Sequence, residues 1–119
     1  MNTQLDRTPL TKLEREAVGQ FAATLTAESG ARIHQLDLFG LDAEDFRENR
    51  EIQLLVLTNR EDSGLEDRSM DLVLDVLLET GIYLTVKTFS KSRYNAFRKA
   101  KIPMIERMEE DRIQLWKAA

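Results

Sequence analysis

A chain of 119 residues with no cysteine, a formal net charge of −4 and a pI near 5.1 excludes several function classes at once. Without thiols there is neither a disulfide framework nor a thiolate metal site, and the acidic balance argues against general nucleic-acid binding, which needs a basic face. With 42% hydrophobic and 32% charged residues the composition suits a globular protein with one core, and no apolar run approaches the roughly 18 residues needed to cross a membrane.

Met1 to Leu10 carries Asp6, Arg7 and Pro9 without an apolar segment, so it does not read as a signal peptide. The expectation is a cytoplasmic protein with one domain over 1–119, its first nine residues flexible. Thr11-Lys12-Leu13-Glu14 then reads as a capping box, the Thr hydroxyl and the Glu carboxylate each taking a free amide. Leu13, Ala17, Phe21 and Leu25 recur every four residues and predict an amphipathic helix. Gly30 is its expected stop, in the left-handed conformation glycine accepts.

From Arg32 to Phe39, Leu36 and Leu38 alternate against Gln35 and Asp37, a strand pattern. Gly40 to Arg50 has no period and reads as a loop. The run Ile52-Gln53-Leu54-Leu55-Val56-Leu57 is apolar enough for a buried strand. Ser63-Gly64-Leu65-Glu66 is a second expected capping box, opening a helix with Leu65, Leu72, Val73, Val76 and Leu77 inward and closed by Gly81.

Ile82 to Phe89 is rich in β-branched and aromatic residues and predicts a third strand. Ser90 or Ser92 caps a short helix carrying Tyr94 and Phe97. Pro103 suits the first turn of another, with Ile105 and Met108 inward. Ile113, Leu115 and Trp116 read as a short edge strand. Alternating helices and strands define an α/β (α+β) domain, with a small mixed sheet and helices packed mainly on one side.

Four of these segments carry a resemblance. Leu38-Phe39-Gly40 ends one strand, and Glu51-Ile52-Gln53-Leu54-Leu55-Val56 opens the next after an irregular loop. Gly81 to Val86 forms a third strand, and Ser90 with Phe97 precedes a terminal helix and strand through Pro103, Ile105, Arg112 and Trp116. In order and spacing the chain resembles the minimal nucleotidyltransferases of the polymerase-beta-like superfamily, over roughly residues 30 to 117. In that family the first strand ends Leu-Phe-Gly-Ser and the second begins Asp-x-Asp.

Nucleotidyl transfer of that kind uses two divalent ions about 3.5–4 Å apart to activate the attacking oxygen and stabilise the pyrophosphate. Magnesium wants oxygen ligands, and carboxylates bridge two ions best. By the resemblance, Glu51 and Gln53 stand at the two Asp positions, Gly40 and Leu41 at the Gly-Ser turn that meets the triphosphate, and Tyr83 or Thr85 at the third-strand acid. One carboxylate remains of three, and the hydroxyl is gone.

The resemblance therefore implies a degenerate member acting by binding. Its partner would be a helical protein of the HEPN type, as in toxin–antitoxin modules, or a second copy in a homodimer. It leaves two alternatives, an active transferase using Mg²⁺ and ATP or another NTP, and a nucleotide sensor without turnover.

The remaining polar and aromatic residues fit ordinary structural roles. His34 has no Cys, His or Ser companion for catalysis and is expected at the surface or a strand edge. Asp71 and Asp75 share a helix face, which is more often solvated than metal-binding. Lys87, Lys91, Arg93, Arg98, Lys99 and Lys101 interleave with Tyr94 and Phe97, a pattern that binds single strands in some proteins. The favoured reading puts both aromatics in the core and the bases in water, with Trp116 as a lid over the core.

Overall fold

The computed structural model describes residues 5–119, in the order helix α1 (Lys12–Ser29), strand β1 (Ile33–Phe39), α2 (Glu44–Asn49), β2 (Ile52–Thr58), α3 (Ser63–Thr80), β3 (Leu84–Ser90), α4 (Lys91–Lys99), α5 (Pro103–Glu110) and β4 (Ile113–Lys117). Of the expected flexible stretch, residues 1–4 lie outside the described ones. Leu5, in a short 3₁₀ turn, and Leu10 are both buried in the main core.

The four strands form one mixed sheet in the order β3-β2-β1-β4. β1 runs antiparallel to both β2 and β4, and β2 runs parallel to β3. The parallel pair needs a long crossover, which α3 supplies. β1 and β2 lie in the middle of the sheet with both faces covered. That explains the nearly unbroken apolar run of β2, since a strand buried on both sides has no reason to alternate.

Period-two geometry sorts the strand residues into two cores. Leu36 and Leu38 of β1, Ile52, Leu54 and Val56 of β2 and Leu84 of β3 face α1 and α3. Phe39, Leu55 and Leu57 face the other way, against Tyr94 of α4 and Ile105 and Met108 of α5. The long helices thus take one face, while two short ones cover much of the other. Each fully buried Leu, Ile or Phe contributes about 1.5–3 kcal/mol of transfer free energy.

The Thr11–Glu14 capping box forms as expected, with Glu14 N–H donating to Thr11 Oγ1 at 3.1 Å and Thr11 N–H to Glu14 Oε1 at 2.8 Å. Four details depart from the sequence reading. Leu13 is exposed, because a four-residue repeat drifts by about 40° per step on a 3.6-residue helix; the buried face of α1 runs through Glu14, Ala17, Val18, Phe21 and Leu25. Gly30 is right-handed (φ −54°), since the chain keeps turning through a short 3₁₀ segment into β1.

The N-cap of α3 is Asp62 rather than Ser63. Its carboxylate accepts Leu65 N–H at 3.0 Å and also pairs with Arg32, a double role no hydroxyl could fill. The region 40–50 is not wholly a loop: α2 forms there with Phe46 buried, ending on a left-handed Arg50 (φ 55°). Gly81 (φ 76°) closes α3 as expected, Ser90 caps α4 by accepting Arg93 N–H, and Pro103 opens α5.

Candidate functional site

The turn after β1 begins at Gly40, whose φ of 80° is costly for any residue with a side chain. A Cβ there would also lie 2.7 Å from Nε2 of Gln53, so the Gln53 amide sits directly against the turn. Gln53 pairs with Phe39 on one side and Thr85 on the other, and all three point to the α4–α5 face. A cleft of about 480 Å³ opens beside them, walled by Gly40, Gln53, Lys87, Met104 and Met108.

Its rim is acidic. Asp42, Glu44, Asp45, Glu110 and Asp111 line it against Lys87 and Arg107. The most consequential of these is Asp111, at the end of α5. Its Oδ1 accepts the Gly40 N–H at 2.8 Å and its Oδ2 accepts the Asp42 N–H at 3.0 Å. Two converging backbone amides in a turn form an anion-binding concavity. Here the anion is an internal carboxylate, supplied from 71 residues further along the chain.

The expected site residues are partly brought together. Gln53 and Gly40 touch the cleft, and Thr85 is the third-strand residue beside Gln53; Tyr83 precedes β3 and is exposed. Glu51 lies just before β2, with Thr85 Oγ1 donating to its Oε1 at a long 3.5 Å. Leu41, which the resemblance puts at the Gly-Ser turn, does not face the cleft. It is buried in the main core, on the opposite side from the cleft that Gln53 faces.

A second polar cluster, built around Tyr94 and marked by no local motif, lies beneath the α4–α5 face. Asp37 on β1 has no solvent exposure, and Gln35 Nε2 donates to both its oxygens at 2.9 and 2.8 Å. Arg112 brings its Nε to 3.1 Å from Asp37 Oδ2 and donates from Nη1 to the Tyr94 hydroxyl at 2.8 Å. Tyr94 in turn donates to Glu109 Oε1 at 2.9 Å. Burial pushes the Asp37 carboxyl above the ordinary range, opposed by Gln35 and Arg112. Burial, helped by Glu109, pushes the Tyr94 phenol up to about 12.

This network has every buried polar atom satisfied, as a structural cluster must. It ties β1, α4 and the α5–β4 junction together and thereby fixes Asp111, the neighbour of Arg112, over the turn. The other end of the 40–50 segment is anchored independently. Arg50 donates to Pro9 O at 3.2 Å and pairs with the buried Glu14, and its guanidinium holds that carboxyl below its usual range.

The remaining candidates take ordinary places. His34 is half-buried on β1, and burial lowers its pKa, with Lys91 and Lys117 adding to the effect. Tyr94 and Phe97 pack against Phe89, the Phe pair edge-to-face with centroids 5.7 Å apart, while Lys91, Arg93, Arg98, Lys99 and Lys101 face water. Trp116 is half-buried against the main core, its ring 3.6 Å from where a Gly30 Cβ would stand. Asp71 and Asp75 are exposed on α3, and among the described residues no group of three His, Cys, Asp or Glu could hold a metal.

Fold and site together define an α+β domain with a four-stranded mixed sheet and an acidic cleft at one strand end. No known protein family, curated protein or solved structure matches the chain significantly. Among the described residues, no helix is long and apolar enough to cross a membrane.

Proposed function

We propose that this chain is a nucleotidyltransferase-like domain that no longer transfers nucleotides and acts by binding a protein partner, foremost a helical protein of the HEPN type. The observation that carries the first half is the seat of Asp111. By the resemblance the Gly40 turn is where a phosphate would be gripped, and a carboxylate of the same chain already holds the Gly40 and Asp42 amides. A triphosphate would have to displace that carboxylate and then sit among further acids of like charge.

Metal chemistry has no better footing. Gln53 offers a neutral amide, Thr85 a hydroxyl, and Glu51 stands alone as a carboxylate at the strand start. Two dications drawn to one site need several oxygen charges to balance them. Incubation with Mg²⁺ and each radiolabelled NTP, scored for pyrophosphate release and for label on protein or small acceptors, tests the reading. It predicts no turnover above a heat-treated control; turnover abolished by Glu51→Ala would establish the transferase instead.

A further inference from the structure

The outward side of α3 carries two parallel ladders. Met70, Leu74 and Leu78 follow one another at successive turns and are 47%, 52% and 85% exposed. Beside them, at the same four-residue spacing, run Asp67, Asp71 and Asp75, all exposed. Residues four apart share a helix face, so apolar and acidic rows lie edge to edge along the helix. An amphipathic surface helix puts its apolar residues inward; α3 does so with Leu65, Leu72, Val73 and Val76, and the outer ladder is surplus to the core.

The charge on this helix is one-sided. It holds five Asp and Glu against one Arg, a formal −4 that equals the charge of the whole chain. The single base, Arg68, is committed to Glu28 of α1 at 2.7 and 2.8 Å, and Glu79 accepts from Gln20. Among the described residues no cation lies within 4 Å of Asp67, Asp71 or Asp75.

We infer that the outer face of α3 is a docking surface for a basic amphipathic helix of a partner, whose apolar stripe covers Met70, Leu74 and Leu78 and whose Lys or Arg residues meet Asp67, Asp71 and Asp75. The inference rests on the binding half of the proposed function and adds the face and the partner's chemistry. A second copy fits poorly: antiparallel pairing of α3 with itself would bring the aspartate rows together, with only Arg68 of each copy, already held by Glu28, near enough to answer them. A helix laid in register on i, i+4 and i+8 anchors, with a rim of opposite charge, is a recurrent recognition mode.

The test is a titration of the purified chain with a synthetic Leu/Lys amphipathic helix and with its Leu/Glu counterpart, followed by amide NMR and fluorescence anisotropy. The Leu/Lys peptide should bind and shift resonances along residues 67–78, and the Leu/Glu peptide should not. Leu74→Ser with Leu78→Ser should weaken binding about tenfold or more, and Asp71→Lys with Asp75→Lys should transfer preference to the Leu/Glu peptide. These positions are exposed, so an unchanged melting curve should accompany each change.

Binding mapped elsewhere, binding indifferent to the leucines, or no binding overturns the inference. Concentration-dependent dimerisation broken by Leu78→Ser overturns it in favour of a second copy. Nucleotide turnover reads the other proposal separately. Peptide binding at α3 with turnover sinks only the non-transferase reading, whereas silence in both assays sinks only the docking surface.

Discussion

Asp111 holds Gly40: its Oδ1 accepts the Gly40 N–H at 2.8 Å, while its second oxygen takes the Asp42 N–H at 3.0 Å. The carboxylate is therefore both a clamp on the turn and an occupant of its anion seat. Charge-assisted bonds of this length are stronger than neutral ones.

Asp111→Ala should cost about 1–3 kcal/mol in urea unfolding, the cost of leaving such donors without their acceptor. Asp111→Asn keeps one acceptor oxygen and should lose less. In the Ala variant the seat is vacated, so inorganic phosphate or formate should shift the Gly40 and Asp42 amide resonances saturably. Wild-type protein should show no such shift. Equal anion binding by both proteins would contradict the clamp.

Gly40 and Gly81 both have positive φ, but only Gly40 has a neighbour in the way of a Cβ. Gly81→Ala should lose about 1 kcal/mol from the left-handed conformation alone. Gly40→Ala should lose slightly more, because the Gln53 amide, the mobile end of a flexible side chain, must also move. Combining Gly40→Ala with Gln53→Ala should bring the glycine's share back to that of Gly81. Additive losses in this double-mutant cycle would show that Gln53 does not press on the turn.

Arg112→Met leaves the unexposed Asp37 carboxylate with its Gln35 hydrogen bonds but without its ion-pair partner and should cost about 2–4 kcal/mol near pH 7, tempered by the partial exposure of Arg112. The sign with pH follows from the raised pKa of Asp37. The folded state holds that proton more tightly than the unfolded chain, so the group favours folding most below the ordinary carboxylate range. That contribution fades as pH rises through the elevated folded value. Losing Arg112 raises the value further, so the deficit of the variant should grow from pH 4 towards pH 7. Asp37→Asn has no proton to lose there and should make the Arg112→Met deficit nearly independent of pH.

Much of this fold is legible in the sequence because it rests on local patterns. The Thr11–Glu14 box, the apolar run of β2, the Gly81 stop and Pro103 at a helix start each need only a few adjacent residues. The burial of Asp37 is not legible locally, because alternation with Leu36 and Leu38 marks a strand without saying what covers its polar face. Only the arrival of α4 and α5 over that face, with Arg112 as counter-ion, makes it interior.

α2 is six residues long and buries only Phe46, too little to show a period. Of the site, the Gly40–Gln53 frame could be read from strand order. The Asp111 seat could not, since its two ends lie 71 residues apart and nothing in the local pattern of Glu110-Asp111-Arg112 marks an acceptor for a distant turn.

With Asp111 on its amides, the Gly40 turn should be closed to phosphate in the native chain. Titrating Mg²⁺ and ATP into the wild-type protein while following the amide resonances of Gly40, Asp42 and Gln53 tests it most directly. No saturable shift is predicted at any of the three. A saturable, Mg²⁺-dependent shift at Gly40 and Asp42, with displacement of the Asp111 carboxylate, would contradict it.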